Sequence, residues 1–327
     1  MTRSLIRAAA LCILLSVVLA HDGAHAQVGD NASRPVRVLY GFSPGSDIAA
    51  RFITETIAER TGQPTVFENV AGAAGNIAAD QLARAEPNGH TLGILTGANI
   101  VLRPLLHQSV PYEPLKALIP ISLLWRFPAL LVVGPETKAK DFSELIERAR
   151  RAPGELTFAH LGAGSVTHLT GELLKITADI DIRGVPYRSV SALISDIISG
   201  RVDMAFIPPS TAIPLANQGQ VRALATTSGS RSPSTPNLPT IAEMGYPGFE
   251  VAIWFGAFAP ANTPQPVVNR IGTLLRDILA TPKVRERLLQ LGIEPIGGTQ
   301  AEFMQTILDE KKLWSNLVEK AGIKPIE

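Results

Sequence analysis

The chain has 327 residues, 46% of them apolar, and its 30 lysines and arginines against 29 aspartates and glutamates give a net charge of +1. That balance offers no basic footprint to nucleic acid or to an anionic membrane surface, which excludes both partner classes. The length suffices for a large buried core, in two domains more readily than in one.

The first stretch, Met1-Thr2-Arg3-Ser4-Leu5-Ile6-Arg7, carries two arginines and no acid; residues 8–20 are small or apolar, and Ala24-His25-Ala26 closes the segment. Basic n-region, short h-region and A-x-A site are the parts of a secretory signal peptide, with cleavage expected after Ala26. The apolar run is shorter than the roughly 20 residues of a membrane span. Cys12 is the single cysteine and falls within this leader, so no disulfide framework is expected and the fold must rest on its core. Losing residues 1–26 removes Arg3, Arg7 and Asp22 and leaves 28 basic and 28 acidic residues. The expected location is the periplasm.

From Arg34 onward, strand-like and helix-like stretches alternate. Val36-Arg37-Val38-Leu39-Tyr40 predicts a strand. Residues 47–61 predict a helix with apolar positions at Ile48, Phe52, Ile53 and Ile57, Asp47 as its N-cap and Gly62 as its stop. A strand at 64–67, a glycine-containing loop at 69–75, a helix at 76–85 and a strand at 91–95 complete a β-α-β-α-β unit. Such a unit marks an α/β domain with a mostly parallel sheet. The rhythm repeats with strand 129–133, helix 141–152 and strand 156–159. Gly162-Ala163-Gly164-Ser165 opens a helix over 166–178; strand 184–187, helix 191–199 and strand 202–207 follow. A strand at 222–228 precedes a polar, proline-rich stretch at 231–239. Beyond Trp254-Phe255-Gly256-Ala257-Phe258-Ala259-Pro260, helices are expected at 266–280 and 300–320, the latter with Thr299-x-x-Glu302 as a capping box. The fold class is α/β, with two lobes joined by crossing strands and a ligand cleft between them. Residues 34–127 plus 253–327 are the expected first lobe, and 128–252 the second.

Gly41-Phe42-Ser43-Pro44-Gly45 fits the G-x-S-x-G nucleophile elbow, which would make the protein a secreted serine hydrolase acting through Ser43. An oxyanion hole there needs the backbone N–H of the next residue, and Pro44 has none. His90, His107, His160 and His168 could complete a catalytic set only on paper, since no motif supports any of them. No phosphate-binding G-x-x-x-x-G-K-[ST] or G-x-G-x-x-G is present, and no metal-ligand spacing either. What remains is a set of loops at strand ends, 43–47, 96–99, 162–168 and 187–191, rich in backbone N–H groups and small hydroxyls. Two of them open helices, whose N-termini suit a carboxylate without any arginine. Capping requires the same residue types, so turns and caps alone would explain these loops equally well.

The chain resembles the extracytoplasmic receptors of tripartite tricarboxylate transporters, the Bug family. The resemblance spans the chain from Arg34-Pro35 to Ala321-Gly322-Ile323. It is carried by Arg34-Pro35-Val36-Arg37, by Pro44-Gly45 with Asp47-Ile48, and by Glu68-Asn69 with Gly72-Ala73-Ala74-Gly75-Asn76. Pro87-Asn88-Gly89-His90-Thr91-Leu92, Val110-Pro111-Tyr112-Glu113-Pro114 and Gly162-Ala163-Gly164-Ser165-Val166-Thr167-His168-Leu169 continue it. Val185-Pro186-Tyr187-Arg188, Ser230-Arg231-Ser232-Pro233, Trp254-Phe255-Gly256 and Pro295-Ile296-Gly297-Gly298-Thr299 complete it. The resemblance implies a type II periplasmic-binding-protein fold that closes on a small organic anion, usually a carboxylate. It also implies delivery of that anion to the subunits of a membrane permease, with no enzymatic activity and no cofactor. A monomer is expected, and a receptor serving a signalling partner is the alternative.

By position, the resemblance assigns Phe42, Ser43, Gly45, Ser46 and Asp47 to one jaw and Gly164, Ser165, Thr167 and His168 to the other. Tyr187 stands beside the cleft, with Asn99 and Ile207 at the neighbouring strand ends. Asp47 is expected to cap its helix and order its loop, because two carboxylates would repel. The first loop is about two residues shorter than the family's usual run of glycines. Ile207-Pro208 stands where Asp-Asn is usual, His160-Leu161 where a small polar pair is usual, and Ser189 where glycine is. These departures make the pocket less polar and point to a monocarboxylate with an apolar or aromatic body.

Overall fold

The computed structural model describes residues 34–41, 47–70, 72, 75–107, 113–232 and 235–325. The signal-peptide reading of residues 1–26, and the jaw residues Phe42, Ser43, Gly45 and Ser46, lie outside them.

Two sheets form the frame. The first holds β1 (Val36–Tyr40), β2 (Thr65–Asn69), β3 (Thr91–Thr96), β4 (Leu118–Pro128), β10 (Ala252–Pro260) and β11 (Glu294–Pro295), in the order β11-β4-β10-β3-β1-β2. β1 runs parallel to β2 and β3, while β10 is antiparallel to both β3 and β4. The second sheet holds β5 (Leu130–Val133), β6 (Thr157–His160), β7 (Arg183–Pro186), β8 (Met204–Ile207) and β9 (Arg222–Thr226), in the order β7-β6-β8-β5-β9. Alternation decides which side chains enter which core. Val36, Val38 and Tyr40 pack into one cluster and Leu39 into another on the opposite face of the sheet. The cluster containing Leu39 also takes in Leu131, Phe158 and Phe206 of the second sheet, so one apolar core runs through both.

Several elements depart from the sequence expectation. β4 was not anticipated, because Pro120, Arg126 and Pro128 interrupt its apolar pattern. Pro120 is tolerated because, among the described residues, β4 pairs on its outer edge only at Trp125 and Arg126, with β11. A missing N–H on an open edge breaks no ladder. Helices also form at Pro209–Asn217 and Pro282–Gln290, each with proline in the first turn, where its missing N–H has no intrahelical acceptor to lose. No helix among the described residues is long and apolar enough to cross a membrane.

The chain passes from β4 into β5 through Ala129 alone and returns through residues 227–251 into β10. Thr227, fully buried, ties the two passages together. Its N–H donates to Ala129 O at 2.9 Å, its Oγ1 accepts from Ala129 N–H at 2.9 Å, and the same hydroxyl donates to Val251 O. Val251 N–H closes the set on Thr227 O at 2.9 Å.

The helix Gln300–Lys320 carries the expected capping box, Thr299 Oγ1 accepting from Glu302 N–H at 3.2 Å and Glu302 Oε2 accepting from Thr299 N–H at 2.7 Å. It lays Phe303 edge-on to both Trp254 and Phe258, each at 5.2 Å between centroids. Gly256 makes room for that ring: a Cβ there would lie 2.0 Å from Phe303 Cζ. Gly256→Ala is therefore expected to destabilise the protein by about 1–3 kcal/mol through overpacking, read as a lowered thermal midpoint. Gly256→Ala with Phe303→Leu should recover part of the loss. On the same helix, the Glu310 carboxylate accepts Trp254 Nε1–H at 2.6 Å and Trp314 Nε1–H at 3.0 Å. Burial pushes this carboxyl up to about 7, with the two indole donors pulling the other way.

Candidate ligand-binding cleft

The loop after β6 is built for a fixed shape. Gly162 and Gly164 have φ of +99° and +74°, a region that side-chain-bearing residues rarely adopt. Ser165 caps the helix Val166–Ala178: its Oγ accepts from His168 N–H at 3.2 Å and donates to Gly162 O at 2.7 Å. Thr167 Oγ1 accepts from Leu161 N–H at 3.0 Å, and His168 Nδ1 accepts from Gly164 N–H at 3.3 Å. The N–H groups of Val166 and Thr167 precede any intrahelical acceptor, and the aligned peptides of the 13-residue helix give this end partial positive charge. A carboxylate placed there would meet donors already in position.

Behind the loop, Phe158, His160 and His168 pack together as tilted rings, with 5.6 Å between the first two and 4.6 Å between the histidines. Burial pushes both imidazoles below the ordinary histidine value, so the folded protein holds them neutral. As pH falls, the unfolded chain takes up these protons first, and stability drops below the unfolded value of about 6.5. Glu310 slopes the opposite way, because its raised folded value makes stability fall as pH rises from about 4.5 to about 7. The histidine contribution is therefore expected as a difference: between pH 7 and pH 5, wild type should lose more thermal stability than His160→Gln.

Tyr187 follows β7, its N–H donating to His160 O at 2.8 Å. Its hydroxyl turns to Asp196 Oδ2 at 2.9 Å, and Arg201 holds the same carboxylate at 2.9 Å. Beyond the ends of β1 and β3, Asp47 and Asn99 are both buried. Asp47 stands at the N-cap position of the helix Ile48–Thr61, yet its side chain makes no capping bond. It accepts Arg51 Nε–H at 2.8 Å instead, and Arg51 lies over the Phe67 ring at 4.4 Å. Asn99 Oδ1 accepts from Thr96 N–H at 3.2 Å and Thr96 Oγ1–H at 3.0 Å, and its amide donates to Asn76 Oδ1 at 3.1 Å. It thus ties the end of β3 to the start of the helix Asn76–Ala83.

Between the crossing strands and this loop lies a cavity of about 90 Å³, lined almost wholly by apolar groups that include Phe127, Leu161, Val166, Ile207 and Ile253, with Thr167 at its wall. Of the residues chosen from sequence, Thr167 and Ile207 meet at this cavity. Gly164, Ser165 and His168 shape the loop beside it, and Asp47, Asn99 and Tyr187 do not line it. Sequence reading missed Phe127, Val251 and Ile253, which come from the crossing segments. The unbroken apolar run Leu130–Val133, one residue after β4, was the one signal that the chain changes sheets there.

Two α/β sheets, two crossings and a cleft lined from the crossings and a helix N-terminus define a two-lobed solute-binding protein. A profile described as the tripartite tricarboxylate transporter family receptor matches residues 49–323. The UPF0065 protein in the tcbD-tcbE intergenic region of Pseudomonas sp. strain P51 is 37% identical over 289 residues, 88% of this chain and 86% of that one. Rpa4515 of R. palustris, solved with adipate, is similar at 32% identity and a TM-score of 0.78, over 90% of this chain and 99% of that one. MatC of Rhodopseudomonas palustris, with bound malate, is 33% identical with a TM-score of 0.72, over 87% of this chain and 99% of that one. The chain belongs to the tripartite tricarboxylate transporter receptor family, the Bug receptors, and has their type II periplasmic-binding-protein fold. Its family is one of solute receptors rather than enzymes.

Proposed function

We propose that this receptor captures a small organic monocarboxylate with an apolar or aromatic body and hands it to the subunits of a tripartite-type permease. The observation that carries the reading is the juxtaposition of a helix N-terminus at Val166 and Thr167 with an apolar cavity. The carboxylate would take the N–H groups of the helix start, and the body would lie against Phe127, Ile207 and Ile253. Phe42, Ser43, Gly45 and Ser46 form the opposing jaw in this reading, with Asp47 and Asn99 holding the strand ends behind it. Adipate in Rpa4515 is a relative's precedent for an acid with a hydrocarbon body.

The lobes would be 34–127 plus 253–327 and 128–252, closing as a monomer in the periplasm after cleavage at Ala26. Calorimetry across benzoate, hexanoate, adipate, malate and citrate tests the reading. Benzoate or hexanoate should bind at least tenfold more tightly than malate, a difference of about 1.4 kcal/mol. Selective binding of citrate would overturn it.

A further inference from the structure

A second cavity, of about 400 Å³, lies between the helix Gln300–Lys320 and the crossing segments. It shares only Val251 with the cleft cavity. Its walls include Arg126 on β4, Glu250 on the return passage, Trp254 on β10, and Asp309, Glu310 and Trp314 on the helix. The volume is in the range of small-molecule sites.

The charges in these walls are unevenly matched. Arg126 is engaged by Glu250 at 3.0 Å and by Glu294 at 3.4 Å. Asp309, exposed at the rim, accepts from Gln305 at 2.9 Å. Glu310 is held by its two indole donors, and among the described residues it pairs with no lysine, arginine or histidine. Leu123 and Leu313 add apolar surface beside the indoles. An acidic group with no cationic partner among the described residues, beside leucines and the margins of two largely buried indoles, is complementary to a charged head carrying alkyl groups, since the carboxylate pairs with the charge and the alkyl groups take the apolar surface. A bare metal ion fits less well: no group of three metal-ligating side chains occurs among the described residues.

We propose that this cavity is a second binding site, taking a small alkylammonium cation with the Glu310 carboxylate as its counter-ion and Trp254 and Trp314 as its walls. Because Arg126, Glu250 and Ala252 also line it, the cavity borders both crossing segments. Occupancy would then be linked reciprocally to closure of the cleft.

The test uses choline as probe and the indole N–H signals of the protein in solution. The chain has three tryptophans, and Trp125 stacks on Phe255 in a different core cluster. Choline at millimolar concentration should shift the Trp254 and Trp314 signals saturably and leave Trp125 in place. Lowering the pH from about 8 to about 5.5 should weaken binding at least tenfold, because the Glu310 carboxyl takes up a proton across that range. Glu310→Gln should lose the shift. Should that variant fail to fold, 3,3-dimethylbutanol, the uncharged analogue of choline, serves on the native protein and should leave all three signals unmoved. No saturable shift, equal binding of the alcohol, or equal movement of Trp125 would each overturn the proposal.

Discussion

Ile207→Asp is expected to weaken binding of an apolar carboxylate by at least a hundredfold, while Ile207→Val changes it only a few-fold. Ile207 ends β8, is 3% exposed and lines the cleft cavity beside Thr167. Replacing its side chain removes an apolar contact worth about 1.5–3 kcal/mol when fully formed. The new carboxylate would also face that of the ligand. At a separation of about 5 Å and an effective dielectric of about 20, the repulsion is roughly 3 kcal/mol. Either effect alone exceeds a tenfold loss, and together they exceed a hundredfold. Calorimetric titration of the wild type and both variants with the best ligand of the panel checks this. An aspartate variant that binds within threefold of wild type would remove Ile207 from the site.

The second large effect is expected at the crossing. Thr227→Val keeps the shape of the side chain but removes the hydroxyl that bridges Ala129 N–H and Val251 O. Both groups would then be left unpaired where Thr227 itself is fully buried. Each unsatisfied buried group costs about 1–3 kcal/mol, so the loss is expected at about 2–6 kcal/mol. For a chain of this size that corresponds to a drop of about 3–9 °C in thermal midpoint. Thr227→Ser, which keeps the hydroxyl, should lie within about 1 kcal/mol of wild type, the range of a lost methyl group. If valine and serine destabilise equally, the hydroxyl bridge is not what secures the crossing.

What could be read in advance was local. The strand Val36–Tyr40, the helix Gln300–Lys320 with its capping box, and the glycine–serine loop before Val166 all carry their signals within a few residues. Turn geometry and capping are short-range chemistry. β4 was hidden because its prolines are acceptable only on an edge, and edge position is a property of the assembled sheet. Asp47 shows the same limit on a smaller scale. Its position as N-cap could be read, but Arg51, one turn on and braced on Phe67, draws the carboxylate away from the helix start. Phe127 and Ile253 were missed because they are opposite one another only through the β4–β10 pairing, across more than a hundred residues of chain.

The place of β10 has a consequence for the order in which the protein can be made. It sits between β3 and β4, so the stretch that precedes β5 cannot close its own sheet. The strands β5 to β9 need nothing synthesised after Thr226 to pair with one another. In a chain delivered N-terminus first, the middle of the sequence can therefore fold before its beginning. Until Ala252–Pro260 arrives, the inner edges of β3 and β4 stand open, each a template for an unrelated strand. In the interval between delivery of β9 and of β10 those edges are still exposed, although the second sheet already has the cluster around Leu130, Val132 and Ala205.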